Sequence, residues 1–285
     1  MTRYGASPEE WAHWDMVLGL TEDLLPVVSQ PNLPIDPKSV LKTYGKVPSR
    51  LTVTGQVVGF PGWTSYRASP ADLAAWSSDD RLGICLQTRL VRALDVDVED
   101  AELAGRIRRA LEDWFSDSGV FDTAAEDICL PTRTRANTGK FLILFQIDGD
   151  LPKQVLTVDG GIIEFLASGQ QCVVAGTHPS GARYQWTGDL PFDIPTLTLE
   201  EWTDLRQTLS DTFDLTLEGW SEGRVTRTGT FTSSAPIFDP VAEFLITHSW
   251  VVGRGPGVLH IRCPWAADHT TESDLTATSY FLAGT

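Results

Sequence analysis

A short run of alternating apolar and acidic residues, LDVDVED at positions 94–100, constrains this chain more than any other stretch. Successive side chains of a β-strand point to opposite faces, so this strand would bury its apolar residues and present Asp95 and Asp97 together. Two carboxylates on one face repel each other unless cations lie between them. Hard divalent cations take oxygen ligands and can hold the reacting oxygens of phosphoryl transfer. Taken alone, the pattern also fits the exposed face of an edge strand.

The surroundings of this run predict a rigid support for the two carboxylates. Residues 82–86 have the composition of a short buried strand, and the two strands together suggest a hairpin. After the run, Asp100 can cap a helix whose apolar residues recur at three- and four-residue spacing as far as Trp114, with Gly119 closing it. The carboxylates would therefore lie where a strand turns directly into a helix.

Length and charge limit the classes of function that the chain can have. A chain of 285 residues favours one large domain plus a smaller appendage. It contains no apolar run of about 18 residues and no apolar signal core at the N-terminus, so we expect a cytoplasmic protein without a membrane partner. The net charge of −16 opposes tight sequence-independent binding to phosphate backbones. Any contact with nucleic acid must then be local, metal-mediated or shared with parts outside this chain.

The four cysteines are far apart in the sequence and do not suggest a disulfide framework. Three of them lie in apolar or strand-like runs, where a free cysteine behaves as a small hydrophobic residue. Cys263 and His269 form half of a tetrahedral zinc site, and no further Cys or His follows them in this chain. By itself the pair is a weak signal.

A basic, glycine-containing turn follows the acidic strand and the helix predicted after Asp100. Residues 133–140, RTRANTGK, lead into an apolar run at 141–145. Such a turn can present backbone N–H groups, the Thr138 hydroxyl and the Lys140 ammonium to one phosphate group. The spacing is not that of a P-loop, and the alternative interpretation is a basic hairpin tip.

Two further polar residues stand out in strand-like surroundings. Glu164 lies within the apolar run 160–166, and a glutamate is almost never fully buried without a partner. It therefore needs a cation, an arginine or an open strand face, and a third metal-facing carboxylate fits. His178 lies in a turn between Thr177 and Pro179, where a lone histidine is more often a surface residue than a ligand.

The remaining pattern predicts the organisation of the chain. Apolar residues at helical spacing over residues 8–25 predict a helix that ends at Pro26, and the first half as a whole suggests an α/β arrangement. Capping signals at Ser69 and Thr198 predict two further helix starts. We expect a catalytic domain over residues 1–196, a helix and linker over residues 197–236, and a small segment over residues 237–285.

Together these stretches resemble the bifunctional primase-polymerase (prim-pol) family of the archaeo-eukaryotic primase superfamily, in the branch found in phage and plasmid replication proteins. That family has three motifs: an acidic DxD or DxE, a small-x-His, and a later acid on a strand. Asp95 and Asp97 match the first motif. Glu164 matches the third, with Glu in place of the commoner Asp. The resemblance covers about residues 35–190.

The second motif is where this chain departs from the family. Thr138, Gly139 and Lys140 occupy its place, so Lys140 would make the triphosphate contact usually assigned to His. Residues 237–285 are similar to a segment that, in related phage proteins, precedes a helicase module and begins a zinc-binding unit. The remaining zinc ligands would lie beyond Thr285, so zinc binding would require a longer chain.

The resemblance implies an α+β (mixed α/β) fold: a primase-like catalytic core in which helices flank a mixed β-sheet, plus a small C-terminal appendage. It implies template-directed nucleotidyl transfer, with Asp95, Asp97 and Glu164 binding one or two Mg²⁺ or Mn²⁺ ions. The triphosphate of a dNTP or NTP would be bound by Arg135, Thr138, Lys140 and His178. The partners would be single-stranded or primed DNA and, in a longer protein, a helicase module.

Two other functions use the same residues differently. A metal-dependent nuclease could use the three carboxylates, but it should need no triphosphate contact at Lys140 or His178. A non-catalytic replication-initiator module would keep the acids as structural residues, but it should be more basic than a chain of net charge −16.

Overall fold

A computed structural model describes residues 3–120, 130–149, 151–214, 220–222, 240–247, 250–255, 258–261 and 279–281. The chain forms two compact units, Met1–Val225 and Thr226–Thr285. The helices of the described residues are α1 (Pro8–Ala12), α2 (Pro70–Ser77), α3 (Ala101–Asp117), α4 (Leu199–Thr212) and α5 (Pro240–Thr247). The strands are β1 (Leu24–Val28), β2 (Ser49–Leu51), β3 (Val57–Gly59), β4 (Leu82–Thr88), β5 (Val91–Val98), β6 (Thr132–Arg135), β7 (Phe141–Ile147), β8 (Gln154–Val158), β9 (Gly161–Leu166), β10 (Gln170–Ala175), β11 (Tyr184–Trp186), β12 (Thr196–Leu197), β13 (Trp220–Glu222), β14 (Val251–Gly255), β15 (Val258–Ile261) and β16 (Ser279–Phe281).

The first unit is built around an eight-stranded sheet. Seven strands follow the order β11-β6-β7-β5-β9-β8-β13, and β12 pairs with β7. The β12–β7 pairing is parallel and the other pairings are antiparallel, so the sheet is mixed. A second antiparallel sheet has the order β1-β4-β10, and β2 and β3 form a separate hairpin. Helices and several sheets together confirm the predicted α+β class.

One face of the eight-stranded sheet carries the larger core. Alternate residues of its central strands β5, β7 and β9 pack against α3 and α4. The rings of Phe145, Phe165 and Trp202 pack on one another, with centroid separations of 4.4 to 5.9 Å. Each fully buried ring or aliphatic side chain contributes about 1.5–3 kcal/mol through removal of apolar surface from water. This core holds β5 rigidly in the middle of the sheet.

The opposite face is divided between packing and a cleft. Ala93 of β5 and Leu144 of β7 are buried in a second core, which also includes residues of the three-stranded sheet and the N-terminal tryptophans Trp11 and Trp14. Further along the same face, β5 presents Asp95 and Asp97, as the alternation of its sequence predicts. The carboxylates therefore lie at the border between a packed region and solvent.

The predicted helix over residues 8–25 is wrong beyond its first turns. Helix α1 ends at Ala12, a π-helical turn covers His13–Val17, and a 3₁₀ turn covers Thr21–Asp23. Gly19 adopts a φ of 67°, which breaks the helical path. Pro26 lies inside strand β1 instead of ending a helix. Because β1 is an edge strand, the missing N–H of this proline can face away from the pairing with β4.

The predicted hairpin of residues 82–86 with the acidic strand is also wrong. Strand β4 pairs with β1 and β10, whereas β5 pairs with β7 and β9 in the other sheet. The short link between them is a corner at which the chain changes sheets. Arg89 stabilises this corner by pairing with Asp23 and donating to the carbonyl oxygen of Tyr66. Every residue of β4 is buried, so it needs partners on both edges.

The predicted helix starts are confirmed by their caps. Ser69 and Thr198 each form a capping box, with Asp72 and Glu201 respectively. Asp100 accepts a hydrogen bond from Leu103 N at 2.7 Å and caps α3. Helix α4 packs into the core of the first unit through residues that include Trp202. The division of the chain into a catalytic domain over 1–196 and later segments stays a prediction.

The described part of the second unit consists of α5 and an antiparallel sheet of order β14-β15-β16. Cys263 and His269, the two predicted zinc ligands, lie outside the described residues. Of the cysteines in the described residues, Cys85 and Cys172 are free and buried. Within the described ranges, no helix combines the length and apolar character needed to cross a bilayer.

Candidate active site

A cleft of about 210 Å³ opens from the central strands of the eight-stranded sheet. We call it the central cleft. Six of the residues predicted from the sequence line it: Asp95, Asp97, Arg135, Lys140, Glu164 and His178. These residues come from three strands, β5, β6 and β9, and from two turns, so the fold brings them together.

The strand register places two of the acids side by side. Asp95 of β5 is the direct partner of Glu164 in β9, and Asp97 lies two residues along the same face. Directly paired side chains have Cβ atoms about 4.5–5.5 Å apart, and like charges in such positions destabilise the sheet. Leu142 and Arg133 continue the same row across β7 and β6. The arrangement requires positive charge close to the acids.

Each carboxylate has a basic side chain beside it. Lys140 Nζ lies 2.5 Å from Asp97 Oδ1 and also pairs with Glu99. Lys153 pairs with Glu164. Arg133 is farther from its acid, with Nη2 3.8 Å from Asp95 Oδ1. The protein thus neutralises its own acids with one cation each.

The three acids fit a metal ion by their chemistry and exposure, although their side chains are not yet gathered around one point. In the described part of the chain, no group of three or more His, Cys, Asp or Glu side chains converges closely enough to form a ligand cluster. The side chains of Asp95, Asp97 and Glu164 are nevertheless 34%, 50% and 21% exposed to solvent, respectively. Carboxylate oxygens are the donors that Mg²⁺ and Mn²⁺ prefer. The acids fit such an ion once their oxygens turn from the lysines towards a common point.

The carboxyl group of Asp95 has a raised pKa. Burial at the base of the cleft raises the pKa of its carboxyl group, Arg133 opposes this effect, and Glu164 and Asp97 raise the pKa further. Burial disfavours the charged form of this carboxyl group, and the charges of Glu164 on the neighbouring strand and Asp97 on the same strand act in the same direction. Additional positive charge in the cleft would favour its ionised form.

Arg133 is held in place by three different contacts. One guanidinium nitrogen donates to the Val173 carbonyl oxygen, and the group lies over the ring of Tyr184, with Cζ 4.5 Å from the centroid. Its third contact is the approach to Asp95. A stacked and hydrogen-bonded guanidinium presents its charge in a fixed direction. Arg133 therefore gives the base of the cleft a fixed positive charge.

His178 is buried, in contrast to the surface position that a turn histidine usually takes. Its Nδ1 accepts a hydrogen bond from Ser180 N–H at 3.1 Å, so the neutral ring carries its proton on Nε2. Within the described residues, Nε2 has no hydrogen-bond partner. Burial lowers the pKa of His178 to about 4, and the neighbouring Arg135 and Lys46 lower it in the same direction. At neutral pH this histidine is an uncharged donor.

The predicted phosphate-binding turn, residues 136–140, is the tip of a β-hairpin in which Thr138 contacts the backbone of Lys140. Strands β6 and β7 form a hairpin around it, and Asn137 adopts a φ of 64° in the turn. Thr138 Oγ1 accepts a hydrogen bond from Lys140 N at 3.2 Å, and Thr138 does not line the central cleft. Hydrogen bonds to Asp97 and, second in effect, to Glu99 raise the pKa of Lys140, so its ammonium group stays charged.

Several cleft residues were not identified as site residues from the sequence. Arg133, Lys46, Gln171 and Tyr184 line the cleft, and Lys153 pairs with one of its acids. Their positions depend on long-range strand pairing, such as that of β11 with β6. The clustering of basic residues between positions 133 and 140 was the one local signal for Arg133.

The fold and the cleft define an α+β protein with acids and bases gathered on one face of a central mixed sheet. The family described as bifunctional DNA primase/polymerase, N-terminal (Prim-Pol) matches residues 14–202. The chain belongs to this family, which supports a primase or polymerase function in general and indicates a nucleotidyltransferase. A search of curated proteins found no match to this chain.

Proposed function

We propose that the protein catalyses template-directed nucleotidyl transfer, adding (d)NTPs to a nucleic acid 3′ end or synthesising primers in phage or plasmid replication. One observation carries this proposal. The direct pairing of Asp95 with Glu164 gathers the acids in the same cleft as Lys140 and His178. Acids for a metal ion and donors for phosphate oxygens are the two components that phosphoryl transfer requires.

The three acids would hold one or two Mg²⁺ or Mn²⁺ ions. The bound metal would lower the pKa of the attacking 3′-hydroxyl group and neutralise charge at the α-phosphate. To bind the metal, Asp97 would have to release Lys140 and Glu164 would have to release Lys153. The Asp97 side chain is half exposed, so breaking its pair with Lys140 costs little free energy, whereas the Lys153–Glu164 pair is more buried.

The triphosphate would be bound by residues with different protonation behaviour. Lys140 and Arg135 are charged donors, and an ammonium freed from Asp97 can turn to a phosphate oxygen. His178 would donate from its unpartnered Nε2 as a neutral group. Thr138 would act through the turn that positions Lys140.

A nuclease would need a different set of residues in the cleft. A nuclease would use the acids without donors for a free triphosphate. Four of the cleft residues, Lys46, Arg133, Arg135 and Lys140, are cations, and His178 has an unpartnered donor. This number of donors favours a nucleoside triphosphate as the substrate.

Primer extension tests the proposal directly. The protein is incubated with Mn²⁺, labelled dNTPs and primed or unprimed single-stranded templates. We expect extension by the wild type, its loss in Asp97→Ala, and its retention in Glu102→Ala, which removes an exposed carboxylate from the first turn of α3. In a second assay without dNTPs, shortening of a 5′-labelled primer that is lost in the same variant would identify a nuclease instead.

A further inference from the structure

One segment of this acidic chain has the opposite charge. Residues 37–71 contain five Lys or Arg residues and no Asp or Glu, although the whole chain has a net charge of −16. We call this stretch the basic segment. It includes the β2–β3 hairpin and the loops on both sides of it. Charge so strongly concentrated in an otherwise acidic protein indicates a local anion-binding surface.

The charges of the basic segment are available for a ligand. Lys38, Lys42, Lys46 and Arg50 are all exposed. In the described part of the chain their side chains form no ion pair, whereas Arg67 pairs with Glu22 at 2.6 Å. Lys140 and Lys153 behave differently, since both are paired with acids of the central cleft. The segment thus presents uncompensated positive charge.

The basic segment is fixed to the edge of the central cleft. Lys46 lines the cleft, and its backbone carbonyl accepts a hydrogen bond from Gln171 Nε2 at 2.8 Å. At Gly45, with a φ of 86°, a Cβ would lie 2.9 Å from Pro179 Cγ, so the segment closely approaches the turn of His178. Ser49 Oγ accepts a hydrogen bond from Val28 N at 2.9 Å, which ties the hairpin to β1.

The same segment exposes apolar groups between its charges. Val40 is 93% exposed and Val53 fully exposed, although both are large hydrophobic residues. Phe60 and Trp63 are partly exposed and pack against a buried cluster on the three-stranded sheet that includes Leu25, Val27 and Val173. Surfaces that bind single strands combine cations, which follow the phosphates, with apolar and aromatic groups, which contact the unpaired bases.

We propose that the basic segment binds the single-stranded template and leads it into the central cleft past Lys46. This inference rests on the proposed function for the identity of the strand as a template. The phosphate backbone is attracted to Lys38, Lys42 and Arg50 and repelled by the acidic surface elsewhere. Unpaired bases can contact the exposed valines and aromatic rings. The bases of a duplex are stacked on one another and cannot make these contacts.

A matched pair of double variants tests the proposal. Lys42→Ala/Arg50→Ala removes two charges from the basic segment, and Arg106→Ala/Arg109→Ala removes two exposed charges from α3. Binding of a fluorescein-labelled oligothymidylate is followed by anisotropy over a range of salt concentrations. We expect Kd to rise about tenfold or more in the first variant at low salt, and the salt slope to fall by about 1.4, which is about 0.7 for each lost contact. The α3 variant should match the wild type.

Two results would overturn the inference. Equal affinities for the two double variants would show that the basic segment does not bind the strand. Equally strong competition by duplex DNA would show that the surface does not select single strands. Circular dichroism of both variants establishes that they are folded.

Primer extension separates this inference from the proposed function. In the Lys42→Ala/Arg50→Ala variant, the KM for the template should rise by a larger factor than kcat falls. If the wild type binds the oligonucleotide through this segment but extends no primer, the proposed function fails and the strand-binding surface stands. If extension occurs and both double variants have the wild-type template KM, the surface fails and the proposed function stands.

Discussion

Replacing Lys140 with Ala should have opposite effects on nucleotide and metal binding. In the structure the Lys140 ammonium is shared between Asp97 and Glu99. In the proposed reaction it turns to the triphosphate, and Asp97 binds the metal. The substitution removes a donor to the nucleotide and also removes the cation that competes for Asp97. Mn²⁺ alone should therefore bind more tightly, while dNTP should bind more weakly.

The magnitudes follow from the exposure of the partners. A hydrogen bond to a charged group contributes about 1.5–3 kcal/mol, which corresponds to a loss of roughly 10- to 100-fold in kcat/KM for dNTP. Stability should change far less. Asp97 and Glu99 are 50% and 78% exposed, and ion pairs with such exposed partners contribute about 1 kcal/mol or less. Lys140→Arg keeps the charge and should recover part of the loss.

Steady-state kinetics at varied dNTP concentration measures the first effect, and electron paramagnetic resonance of free Mn²⁺ measures the second. Glu99→Gln is the matched control, because it releases Lys140 from one partner and leaves Asp97 intact. We expect its dNTP kinetics to stay close to wild type. Unchanged dNTP kinetics in Lys140→Ala would refute the argument, and triphosphate binding would then have to be sought at His178, Arg135 or Lys46.

Three further predictions follow from the pKa shifts and the packing. Asp95→Asn should abolish extension without lowering Tm at pH 7. The raised pKa of Asp95 means that its ionisation costs stability as pH rises above 3.8, so thermal scans should show the Tm difference growing in favour of the variant between pH 4 and pH 7. A neutral His178 predicts that the wild type and His178→Gln have the same pH dependence of the dNTP KM near pH 6.5, where the nucleotide phosphate itself titrates; a step in the wild type alone would contradict its role as an uncharged donor. Its lowered pKa also destabilises the fold as pH falls from 6.5 towards 4, and His178→Gln should remove that dependence in urea titrations. Gly161→Ala should cost about 1–3 kcal/mol in the same assay, because a Cβ there would lie 2.4 Å from the Asp97 carbonyl oxygen; unaltered stability would mean that β9 can move away from β5.

The sequence alone determined the features that depend on neighbouring residues. Alternation in residues 94–100 predicted a strand with Asp95 and Asp97 on one face, and the observed burial of β5 has that pattern. The caps at Ser69, Asp100 and Thr198 were also predictable, because a capping side chain bonds to backbone within three residues. Such interactions are short in sequence and do not depend on the rest of the fold.

Local pattern failed where packing between distant segments decided the outcome. The helical spacing after residue 12 predicted a continuous helix, but these residues form turns and strand β1. Residues 24–28 pair with the edge of β4 and are fully buried there, which favours the strand. The corner between β4 and β5 has the two-residue length of a hairpin connection. In the structure it connects two different sheets, because β4 pairs with β10 and β5 pairs with β9.

Only the tertiary structure decided how the site residues are paired. The positions of Asp95, Glu164, Lys140 and His178 in the sequence indicated their chemistry, but strand register made Glu164 the direct neighbour of Asp95. The tertiary fold also gave each acid its own cation and buried His178, which lowers the pKa of that histidine. Charge interactions depend on separations of a few ångströms between segments tens of residues apart, and a sequence pattern does not contain those separations.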